Sequence, residues 1–79
     1  MQLWLEAECH QLLLDHVPSD SPAHDPLINA SRVYNHGLMP DTYRVVCSPD
    51  DTRKYLAAAM RYFPEWVGTI VLAIITAKP

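Results

Sequence analysis

The chain has 79 residues, room for one hydrophobic core and a single domain over residues 1–79. Hydrophobic residues make up 49% and charged residues 19%, a globular balance that excludes intrinsic disorder. A net charge of −3 argues against direct nucleic-acid binding, because phosphate neutralisation needs several clustered bases.

In chain order, Met1, Leu3, Leu5, Ala7 and Cys9 alternate with Gln2, Trp4, Glu6, Glu8 and His10. Alternation of this kind is a strand pattern in which Trp4 is the exception among polar partners. The composition, rich in Leu, Glu, Ala and Gln with no β-branched residue before Val17, favours a helix instead. The acids fall on two sides of a helical wheel, so the alternation decides for a strand over residues 2 to 9, with Leu12 to Leu14 packing beyond it. Pro18 to Asp25, rich in Ser, Pro and Asp, reads as a loop.

Asp25 as a cap, Pro26 at the first helical position and Gly37 as a C-terminal cap predict a short helix over 26–36. Leu27, Ile28, Tyr34 and Val33 would face inward, and Asn29, Arg32 and His36 outward. Between Asp41 and Ser48, Tyr43, Val45 and Cys47 alternate with Thr42, Arg44 and Val46, a half-buried strand over 41–48.

Ser48-Pro49-Asp50-Asp51 places a side-chain acceptor, a proline and two acids in the order that starts a helix. Tyr55, Leu56, Ala59, Met60 and Phe63 recur on one face of a 3.6-residue period, so a core-facing helix is expected over 49–63, stopped by Pro64. Arg53, Lys54 and Arg61 lie away from the centre of that face, as a solvated surface does. Thr69 to Ala77 is an apolar, β-branched run of strand length and predicts a central strand over 69–77. A strand, helix and strand joined by a right-handed crossover would be parallel, giving a two-layer α+β domain with a C-terminal β-α-β unit. The run is also too short to cross a bilayer as a helix.

Cys9 and Cys47 stand 38 positions apart, with no CxxC spacing and no further cysteine. A secreted domain of this size normally carries four to eight, so reduced thiols in a cytoplasmic protein are expected. Residues 1 to 31 contain no Lys or Arg, so the basic segment that opens a signal peptide is missing.

Acidity is segregated along the chain. Residues 1 to 25 hold Glu6, Glu8, Asp15, Asp20 and Asp25 against no base, whereas residues 26 to 79 hold six bases and four acids. Such a face can dock on a basic surface, although acids solvating an outer surface are also ordinary. Trp4 is a candidate interface anchor, as are Tyr62 and Trp66 around Pro64, although large residues also close the ends of a small core. Cys9, His10, His16, His24, His36 and Cys47 could ligate a metal, but histidine intervals of six, eight and twelve do not match a structural zinc site, and no cofactor is expected. Cys9 with a histidine, or Ser31 with His36 and an aspartate, would be nucleophile candidates only with a base in reach and an oxyanion site. No phosphate-binding, zinc-protease or nucleophile-elbow motif is present, so a non-enzymatic protein is expected.

In size, acidity and lack of catalytic motifs the chain resembles the small inhibitor proteins of phages and mobile elements, of which the anti-CRISPR proteins are one group. That resemblance implies a stoichiometric inhibitor that covers a nucleic-acid-binding surface on a host protein or nucleoprotein complex. Glu6, Glu8, Asp15, Asp20 and Asp25 would be the acidic contacts and Trp4 the anchor. Two other classes stand beside it: a homodimeric structural or regulatory module joined through a sheet edge at either end of the chain, and a His/Cys metal-binding protein.

Overall fold

A computed structural model describes residues 1–34, 37 and 40–79. The elements in order are β1 (Gln2–Glu6), α1 (Ala7–His16), α2 (His24–Ile28), β2 (Ser31–Val33), β3 (Thr42–Val46), α3 (Pro49–Tyr62), a single 3₁₀ turn (Pro64–Trp66) and α4 (Val67–Ile75). Helices cover one face of a three-stranded antiparallel sheet of order β1-β3-β2, so the α+β class holds. The parallel β-α-β unit does not form: both neighbours of β3 run antiparallel to it.

β1 is shorter than the alternation suggests. Leu3 and Leu5 are buried and Trp4 and Glu6 exposed, as a half-covered strand requires. From Ala7 the buried positions change to Cys9, His10, Leu13 and Val17, which is helical spacing. Alternation and helical composition are therefore both correct, in succession.

The helix expected over 26–36 is a single turn, His24–Ile28, followed by a strand. Leu27 is buried, but Ile28 and Tyr34 are exposed and Val33 is half-buried. Pairing of Ser31 to Val33 with β3 overrides the local helix signals. Gly37 is consequently no helix cap; it sits in a turn at φ 82°, where the absence of Cβ removes the steric cost. His36 lies outside the described residues.

β3 matches its expected alternation, with Val45 and Cys47 buried and Arg44 and Val46 exposed. At the start of α3, Ser48 Oγ accepts from the Asp51 amide at 3.1 Å while Asp51 Oδ2 accepts from the Ser48 amide at 2.9 Å, a reciprocal capping box. Tyr55, Ala59 and Phe63 are buried and Leu56 is half-buried, but Met60 is 67% exposed and stands outside the face predicted for it.

The largest correction concerns 69–77, which is helical from Val67 to Ile75 and not a strand. Ile70 and Ala73 are buried and Ile74 and Ala77 half-buried, an i, i+3, i+4, i+7 set laid on α3 and β1. A uniformly apolar run has no contrast to reveal its period, so the β-branched composition outweighed the spacing. The C-terminal segment still meets the sheet once: the Gln2 amide donates to the Lys78 carbonyl at 2.7 Å and the Lys78 amide to the Gln2 carbonyl at 3.2 Å.

One core joins the layers, centred on Leu3, Leu5, Leu13, Leu27, Val45 and Tyr55. Two buried polar links brace it. Tyr55 Oη donates to the Ala23 carbonyl at 2.8 Å, and His10 Nε2 donates to the Leu27 carbonyl at 2.7 Å, with the imidazole stacked on Tyr43 at 3.9 Å. No helix among the described residues is long and apolar enough to cross a membrane.

Candidate partner-binding surface

The acids of the N-terminal third are all exposed, but they do not form one patch. Glu8, Gln11 and Asp15 follow i, i+3 and i+7 spacing on the outer side of α1, opposite buried Cys9 and Leu13. Gln11 Nε2 donates to Asp15 Oδ1 at 3.0 Å, which holds that carboxylate on the stripe. Asp25 lies on α2, which packs against α1.

Glu6 projects with Trp4 from the open face of the sheet, whereas α1 packs against the covered face. Arg44 stands directly across from Trp4 on β3, and the Lys78 ammonium lies 5.9 Å from the Trp4 ring centroid. Trp4, 39% exposed, is thus placed among bases and away from the α1 acids.

Asp20 has different neighbours. It lines a groove of about 390 Å³ between the end of α1, the loop after it and α3, together with His16, Ser21, Lys54, Arg61 and Tyr62. His16 Nδ1 donates to the Leu12 carbonyl at 2.8 Å, and its ring leans on Tyr62 and Phe63. The groove carries both signs of charge, and Ala57 and Ala58 also line it.

Ion pairs among the described residues join Arg32 to Asp41 and Arg53 to Asp50. Neither involves Glu6, Glu8, Asp15, Asp20 or Asp25. Arg32 and Arg53 both pair with acids of residues 26 to 79. Among the described residues the N-terminal acids thus have no ion-pair partner.

Cys9 and Cys47 are free and buried. Burial, aided by Glu6 and Glu8, pushes the Cys9 thiol up to about 12, and burial with Asp51 nearby pushes Cys47 up to about 11. A thiol held protonated at neutral pH is a poor nucleophile, so Cys9 behaves as a small hydrophobe. His10 is committed to a buried backbone carbonyl, and no group of three or more His, Cys, Asp or Glu among the described residues is placed to hold a metal ion.

No protein-family model, curated protein or solved structure matches the chain. Trp4 opposite Arg44 is the pair that sequence reading missed, because their adjacency depends on strand register. Tryptophan and arginine are enriched among residues that dominate binding interfaces.

Proposed function

We propose that this protein is a non-enzymatic binding module that docks the acidic outer side of α1 and α2 on a basic surface of another macromolecule. The observation that carries this reading is the set of exposed N-terminal carboxylates without ion-pair partners among the described residues. An uncompensated field of one sign raises the encounter rate with a surface of the opposite sign. Glu8, Asp15 and Asp25 are the central contacts in this reading, with Glu6 and Asp20 at the margins.

A host protein or nucleoprotein complex with a basic nucleic-acid channel suits such a face, and occupying that channel would inhibit it. The likeness to small phage inhibitors of the anti-CRISPR type points the same way and rests on size, acidity and missing catalytic motifs. Trp4 and Arg44 offer a second anchoring point on the sheet. Buried, free Cys9 and Cys47 suit a reducing, cytoplasmic setting.

A pull-down from the native host, followed by rate measurements with the captured partner, tests the proposal. Glu8→Lys with Asp15→Lys should slow association by roughly tenfold or more at low salt and flatten its salt dependence. An unchanged on-rate would overturn the acidic-face reading.

A further inference from the structure

Helix α4 is the least explained surface of the molecule. An amphipathic helix turns a polar side to solvent, whereas a helix apolar all round is normally buried. In α4 Ile70 and Ala73 face the core, yet the opposite side consists of Gly68, Val71, Leu72 and Ile75, all exposed. Leu72 is 61% exposed and Ile75 74% exposed. No charged residue occurs between Glu65 and Lys78.

The stripe has an internal symmetry. A two-fold axis passing between Val71 and Leu72 would set Gly68 of one copy against Ile75 of another, and Val71 against Leu72. The same axis brings the Glu65 end of one helix towards the Lys78 end of its mate, where the charges are opposite. Antiparallel placement also opposes the two helix dipoles favourably. Glycine is among the poorest helix formers, and a Cβ at Gly68 would meet nothing within 4 Å, so its own fold does not require glycine there. Close approach of a large side chain such as Ile75 from another copy supplies a reason.

We infer that the exposed face of α4 binds a second copy of this chain, as an antiparallel two-fold pair centred between Val71 and Leu72. An isologous interface needs a self-complementary surface, which a short charge-free stripe with small and large residues at mirrored positions provides. A standard interface takes roughly 800 Å² from each partner, a large share of the 5026 Å² surface of this chain. Nine helical residues span only about 13 Å, so the pair belongs to the weak, micromolar class.

Sedimentation equilibrium of the full chain across the micromolar range should show a monomer–dimer equilibrium. Leu72→Glu should weaken it at least tenfold, and Gly68→Leu should weaken it too, although leucine is the better helix former. Ala57→Glu, on the exposed side of α3, should leave it unchanged. Leu72→Cys should form an intermolecular disulfide under mild oxidation, with Ala57→Cys as the non-linking control; Cys9 and Cys47 are buried and do not compete. A chain that stays monomeric throughout, or an association indifferent to Leu72→Glu, overturns the inference. The α1 acids lie on another surface, so Leu72→Glu leaves partner association intact if both readings hold.

Discussion

Helices α3 and α4 are neighbours in the chain, yet they are helices for different reasons. In α3 the reciprocal Ser48–Asp51 cap, Pro49 and one apolar stripe all specify the same element. In α4 no side chain caps the N-terminus, β-branched residues dominate, and docking on α3 and β1 supplies what local propensity does not. Such an element has little tolerance for losing its inward contacts. It can also expose an apolar side that a self-sufficient helix would make polar.

The largest effect expected on this comparison is at Tyr55, the fully buried residue through which α3 fills the core. Tyr55→Ala should cost about 3–5 kcal/mol in urea unfolding, as large aromatic truncations do. Tyr55→Phe keeps the volume but removes the buried hydrogen bond to the Ala23 carbonyl and should cost about 0.5–1.5 kcal/mol.

Within α4, the two sides should separate cleanly. Ile70→Ala removes a fully buried side chain and should cost about 2–5 kcal/mol, whereas Ile75→Ala should change the stability of the dilute monomer by less than about 0.5 kcal/mol. Equal costs at the two positions would break the assignment of inner and outer faces.

Ser48→Ala should cost about 1 kcal/mol by removing the cap of α3. No counterpart exists at the start of α4, where Trp66→Ala would test packing and not capping.

The smallest effect near neutrality concerns the thiols. Their folded-state values are raised, so the unfolded chain ionises first as pH rises. The contribution of Cys9 and Cys47 is therefore complete below about pH 9, the ordinary thiol value, and is lost as pH climbs through about 11 and 12. Urea midpoints should be insensitive to thiol ionisation from pH 7 to 8 and fall above pH 9, and replacing both cysteines by alanine should reduce that alkaline slope.

Legibility differed just as sharply for the surface features. Exposure of Glu8 and Asp15 follows once α1 is known to be a helix, because their spacing sets them opposite Cys9 and Leu13. Their separation from Trp4 and Glu6 is not legible, since it depends on which face of the sheet receives the helices. The apolar stripe of α4 was hidden altogether, because a strand reading sends alternate side chains into two covering layers.

Sequence by itself determined the α+β class, the cap of α3 and its inner residues apart from Met60, the alternation in β3 and the segregation of acid into the N-terminal third. Those features are written in local contrasts, between polar and apolar or between capping and non-capping residues, that act over a few positions. Tertiary structure decided the antiparallel order β1-β3-β2, the division of the first sixteen residues into strand and helix, and the helical state of 67–75. In each case local preferences differ by less than burial against a distant partner contributes, and the partner makes the choice.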